Sequence, residues 1–176
     1  MIAVTLIAVL AGSGQVVAQS QQAAKAPAAN VFQEQAGKLG VRRCANLFAA
    51  LGNTVSNGAA YTVVTQAGGA AAVADGHGVQ GVVGMAYNTP GYAAQAAGVV
   101  IAAPVGTKCE GQLVRVAPFQ RACKDVVGQL PAGSTAAGSL SGVPLYILGG
   151  NQGQAMLISS GNSCVVVTVA RGADVG

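Results

Sequence analysis

Few side chains in this sequence are able to carry acid–base or nucleophilic chemistry: one histidine, His77; five acids, Glu34, Asp75, Glu110, Asp125 and Asp174; and four cysteines. His77 stands two residues after Asp75, and Glu110 is the acid beside Cys109. A small hydrolase built on His77 with Asp75 or Glu110 is therefore the catalytic alternative the residue types allow. Glycines on both sides of His77 work against it, because a catalytic imidazole has to be held by packing and supporting hydrogen bonds. Serines are plentiful, yet one histidine and five scattered acids offer little to activate them. A zinc site needs three or four converging ligands, which one histidine and widely spaced cysteines do not supply. Gly76-His77-Gly78-Val79-Gln80-Gly81 has the spacing of a dinucleotide loop, but that chemistry needs a helix directly after it. Val82 to Tyr87 reads as a strand instead, and no acid follows for almost thirty positions. No metal and no cofactor is expected, and the sequence leans away from an enzyme.

Four cysteines read as two disulfides if the chain is exported, and its start carries an export pattern. Ile2 to Ala11 is an apolar run interrupted only by Thr5, too short for the roughly 20 residues that cross a bilayer. Val16-Val17-Ala18 then presents small residues for a signal peptidase. Residues 1–18 are expected to be a signal peptide, 19–29 a flexible Gln/Ala linker, and 30–176 one disulfide-bearing domain. Ser13 occupies the position where a lipoprotein would need cysteine, so release is expected rather than tethering. No later stretch is long and apolar enough to span, which makes the expected location periplasmic or secreted. The net charge of +4 is spread out, with Lys38, Arg42 and Arg43 the densest set. Such a set at helical spacing is a solvated helix face rather than a nucleic-acid footprint.

The elements that must position these residues follow from periodicity. Asn30 is suited to cap a helix whose apolar positions Phe32, Ala36, Leu39, Cys44, Leu47, Phe48 and Leu51 keep helical spacing, weakened at Gly37 and Gly40 and stopped by Gly52-Asn53. Strand-like runs follow at Tyr61–Gln66, Val79–Tyr87, Gly98–Ala103 and Gln112–Ala117. A second helix is expected from Phe119 to Leu130, with Val126 and Val127 on its apolar face and Lys124 on its wet face. After a Gly/Ser/Ala loop come Val143–Leu148, Ala155–Ser159 and Cys164–Ala170, the last two joined by a hairpin at Ser160–Ser163. The order amounts to two rough copies of a helix followed by strands, with no residue-level repeat. The fold class is α+β: a two-layer sandwich with two helices on one face of a mainly antiparallel sheet of about six to seven strands.

With chemistry this sparse, the favoured function is a non-catalytic exported module that binds a protein partner or an envelope component. Its expected binding surface is the aromatic and amide rim of the polar turns: Tyr87, Asn88, Tyr92, Tyr146 and Asn151. Strand counting gives the disulfide pairing. If the first helix runs down, the fourth strand also runs down and Cys109 opens it at the top. Three strands after the second helix then put Cys164 at the top as well, while Cys44 and Cys123 lie at the lower level of the two helices. The expectation is Cys44 with Cys123 and Cys109 with Cys164.

Overall fold

A computed structural model describes residues 30–174; the expected signal peptide and linker lie outside the described residues. Asn30 caps the first helix as its residue type demands, its side-chain oxygen accepting from the amides of Phe32 and Gln33. That helix, α1 (Val31–Lys38), ends where Gly40 turns with φ +81°. A second helix, α2 (Ala45–Ser56), starts afresh after Cys44, so the expected single helix is two. Gly52 does not end it, because its missing side chain is filled by the ring of Phe32 and the helix runs on for another turn.

Eight strands follow: β1 (Ala60–Ala67), β2 (Val79–Thr89), β3 (Tyr92–Val105), β4 (Lys108–Phe119), β5 (Thr135–Leu140), β6 (Val143–Ile147), β7 (Gln154–Ser160) and β8 (Ser163–Ala173). They form one antiparallel sheet in the order β1-β2-β3-β4-β8-β7-β6-β5. The α+β class and the antiparallel sheet are as expected, with eight strands in place of six to seven and three helices in place of two among the described residues. The additional strand, β5, is exposed along its whole length at the sheet edge, where burial imposes no alternation on its sequence.

The expected helix over Phe119–Leu130 shrinks to α3 (Cys123–Val126) and a 3-10 turn at Val127–Gln129. Pairing with β8 keeps the chain extended through Pro118 and Phe119, beyond the last β3–β4 pair. Pro118 is tolerated there because one side of the strand is already unpaired. Within the short α3 the face assignment holds: Val126 is buried, Val127 packs on the same cluster and Lys124 is exposed.

The helices sit on one side of the sheet, over two cores. The larger gathers Phe32, Phe48, Leu51 and Val55 over Val79, Val83, Val100 and Leu113. Phe32 stands edge-on to Phe48 at 5.7 Å and stacks on Tyr61 at 5.4 Å. The smaller places Val126 and Leu148 over Ala155, Leu157, Cys164 and Val166.

Both expected disulfide pairs are overturned. Cys44 is bonded to Cys109, and Cys123 to Cys164. The break after α1 makes Cys44 the cap of α2, at the end of the sheet where β4 begins, rather than a residue far down a continuous helix. The uncounted β5 reverses the direction of every later strand, so β8 begins beside α3 instead of opposite it.

The two bonds are equivalent. Each ties the start of a helix to the second residue of the last strand in a four-strand meander. Val114 and Val169 both lie five residues after those strand cysteines, and they are opposite one another in the β4–β8 ladder. An approximate two-fold axis therefore pierces the sheet at this pair and relates α2–β1–β2–β3–β4 to α3–β5–β6–β7–β8. The repeated order of elements seen in the sequence thus has a counterpart in the strand order and the β4–β8 register.

Candidate functional site

The seam between the halves is where the helix layer is open. Alternation along β4 and β8 turns Leu113, Arg115, Ala117 and Phe119, and opposite them Ala170, Thr168, Val166 and Cys164, toward the helix side. With α2 over the first meander and α3 over the second, a cleft of about 240 Å³ remains above the seam. Arg115 and Thr168 face each other on its floor. One wall is apolar, formed by Val126, Leu130 and Leu148. At the other side Tyr87, Tyr92 and Phe119 form a chain of rings, with centroids 5.2 Å apart between the tyrosines and 4.8 Å between Tyr92 and Phe119. The Tyr92 hydroxyl donates to the Pro118 carbonyl at 3.2 Å, which fixes the middle ring. Along the seam the cleft continues into a recess of about 590 Å³ that shares Arg115, Thr168 and Gln152 and reaches Leu51, Thr54 and Asn151.

Burial pushes the Tyr92 phenol above its ordinary range, and the neighbouring Tyr87 adds to this while Arg115 opposes it. The Tyr92 phenol thus stays a neutral hydrogen-bonding group beside the Arg115 guanidinium. Among the described residues the one ion pair joins the exposed Lys38 to Glu34 at 2.7 Å, and no carboxylate neutralises Arg115. The two-fold sharpens the contrast. The positions equivalent to Arg115 and Thr168 are Ala170 and Leu113, also paired with each other, so one polar pair and one apolar pair occupy matching places.

No family model, curated protein or solved structure matches this chain. The cleft is interpretable only through its own chemistry.

Of the expected binding surface, Tyr87 and Tyr92 line the cleft and Asn151 lines its continuation. Tyr146 packs against the smaller core, and Asn88 is exposed on the opposite side of β2 from Tyr87. Arg115 and Thr168 are absent from the expected surface, since a lone Arg or Thr in a strand carries no sequence signal, and Phe119 reaches the cleft from a strand rather than from the expected helix. Knowledge that β4 and β8 pair would have been needed to place Arg115 and Thr168 together.

The acid–base candidates are placed apart. Asp75 lies in a 3-10 turn at Ala74–Gly76 and accepts from the amides of Arg42 and Arg43, just ahead of α2. These bonds, that to Arg42 first, hold its carboxyl below the ordinary carboxylate value. The His77 ring rests on Gly68 and Gly69, exposed to solvent. Glu110 projects from the side of the sheet away from the helices, because its neighbour Cys109 is buried beneath them. Among the described residues no cluster of three His, Cys, Asp or Glu side chains is able to hold a metal, and no helix is long and apolar enough to cross a membrane.

Proposed function

We propose that this protein is a non-catalytic binding module of an exported, oxidising setting, periplasmic or secreted. Its cleft takes an apolar group bearing a negative charge, presented by a protein partner or an envelope component. The observation that carries the proposal is Arg115. A half-buried guanidinium that lines the cleft beside aromatic and aliphatic side chains, with no carboxylate near it among the described residues, lacks a paired charge. An incoming anion supplies that charge and accepts a charge-assisted hydrogen bond, while the rings and aliphatic wall cover its apolar portion. Equivalent positions across the two-fold are satisfied by Leu113 and Ala170, so packing alone does not require an arginine here. Asp75, occupied with two backbone amides, is poorly placed to serve His77 as a partner in hydrolysis.

The experiment is a titration of the oxidised protein with dodecanoate below micelle formation, with dodecyltrimethylammonium as the control, followed by tyrosine fluorescence. The carboxylate should bind and the cation should not. Arg115→Gln should weaken carboxylate binding about 10- to 100-fold, the worth of one hydrogen bond to a charged group. His77→Ala should change nothing. Equal binding of both amphiphiles, or indifference to Arg115→Gln, would remove the basis of the proposal. Export is tested separately by intact mass of the protein recovered outside the cytoplasm, which should begin at Gln19.

A further inference from the structure

We propose that the side of the sheet away from the helices docks a second copy of this chain, face to face, with the two-fold of the pair running along the β4–β8 seam. A free sheet face normally shows polar residues alternating with the buried apolar ones. Here many outward positions are apolar too, although Gln80, Gln95, Gln112 and Gln154 also stand on this face. Val165, Val167 and Val169 alternate with the inward Cys164, Val166 and Thr168 of β8, and the pattern extends to Val82, which is 50% exposed, on β2 and to Ile147, 43% exposed, on β6. The patch is six strands wide in the order β2-β3-β4-β8-β7-β6. At about 4.8 Å per strand and roughly five residues of about 3.3 Å along each, it covers about 480 Å² of flat area per copy. Two such faces lie at the lower bound of what specific interfaces bury, about 1,200 Å² of accessible surface, since accessible area exceeds flat area.

The charges on this face select the occupant. They lie at one end, near the β3–β4 turn, and carry both signs: Lys108 and Glu110 on β4, Arg171 on β8. Among the described residues none of the three is in an ion pair. Rotation by 180° about an axis along the seam keeps this end over itself and exchanges β4 with β8. Glu110 of one copy then stands over the Arg171 end of β8 in the other, and the contact occurs twice. Sheets packed in this way keep their strands within about 30° of each other, as such an axis requires. A patch that is apolar at its centre and self-complementary at its charged edge fits a second copy better than it fits an unrelated surface.

Sedimentation equilibrium of the oxidised mature protein between about 1 and 100 µM should show a dimer. Val167→Lys, at the centre of the patch, should leave a monomer with unchanged far-ultraviolet circular dichroism. Because a monomeric Val167→Lys does not by itself separate lost contact from misfolding, the exposed charges provide the second arm. Glu110→Lys alone should weaken dimerisation about tenfold or more, and adding Arg171→Glu should restore it. A monomer at 100 µM, a dimer insensitive to both substitutions, or a monomer that instead binds phosphatidylglycerol vesicles through Val167 would overturn the proposal.

Discussion

Replacing Gly52 by alanine separates two opposed effects that the structure places at one residue. In the interior of α2, alanine is favoured over glycine by about 1 kcal/mol. Propensity alone therefore makes Gly52→Ala stabilising. A Cβ at this position would meet the ring of Phe32, with Cδ1 and Cδ2 at 2.5 Å and Cγ nearer still, where carbon atoms prefer about 3.5–4.0 Å. The ring would have to retreat by more than 1 Å. Phe32 has no accessible surface and is held between Phe48 and Tyr61, so retreat displaces α1 from α2. Overpacking of a tight core costs about 1–3 kcal/mol, and complete loss of the Phe32 contacts would approach the 3–5 kcal/mol of a phenylalanine truncation. Subtracting the propensity gain leaves a net loss of up to about 2 kcal/mol from overpacking alone and about 2–4 kcal/mol if the Phe32 contacts are lost. Urea unfolding followed by circular dichroism, with disulfides intact, measures it as a lower midpoint at constant slope. Gly52→Ala combined with Phe32→Leu should recover part of the loss, since the smaller side chain makes room. A midpoint that rises on Gly52→Ala would refute the close approach of α1 and α2.

Three further outcomes follow from the same geometry. Val126→Asp places a charge in the smaller core and should cost about 3 kcal/mol or more in a denaturant melt, whereas Lys124→Ala should leave the midpoint unchanged. Non-reducing peptide mapping should yield fragments linking Cys44 to Cys109 and Cys123 to Cys164, and a fragment joining Cys44 to Cys123 would contradict the fold; removing either bond, with sequence separations of 65 and 41, should cost up to about 4 kcal/mol by chain entropy. Asp75, with its folded-state pKa below the ordinary 3.8, contributes stability above that value and loses it as pH falls through the lower one. The amide resonances of Arg42 and Arg43 should therefore titrate with a midpoint below 3.8, and Asp75→Asn should abolish the titration.

Strong local signals in the sequence had direct structural counterparts. Asn30 capped a helix, Val79–Tyr87 was a strand, and the hairpin at Ser160–Ser163 formed with its ends paired. Errors arose where tertiary pairing overrode local preference. Ala93 to Ala97 belongs to β3, although alanine favours strands weakly, because β2 pairs with it residue by residue. Phe119 looked like the first apolar position of an amphipathic helix, and its pairing with Cys164 keeps it in β4. Gly52 looked like a stop, since a glycine that admits a neighbouring ring and one that ends a helix are the same letter. The edge strand β5 has no buried face to impose a pattern, and missing it reversed the disulfide assignment. For the cleft, the aromatic pair Tyr87 and Tyr92 was legible as residues flanking a turn. Arg115 and Thr168 become neighbours only through the β4–β8 ladder, which joins segments some fifty residues apart and leaves no local trace.

The disulfides close in the order in which their cysteines occur: first with second, third with fourth. A chain that meets an oxidant while emerging N-terminus first presents Cys44 and Cys109 before either later cysteine. The thiolates encountered in succession are thus the correct partners, and the second bond can follow without disturbing the first. Any other connectivity would require an early cysteine to wait, or a wrong bond to be exchanged, a step that takes seconds to hours without help. Neither bond crosses the seam, so the two halves are covalently secured one after the other and are left only to associate. This connectivity is reachable without the exchange of any earlier bond.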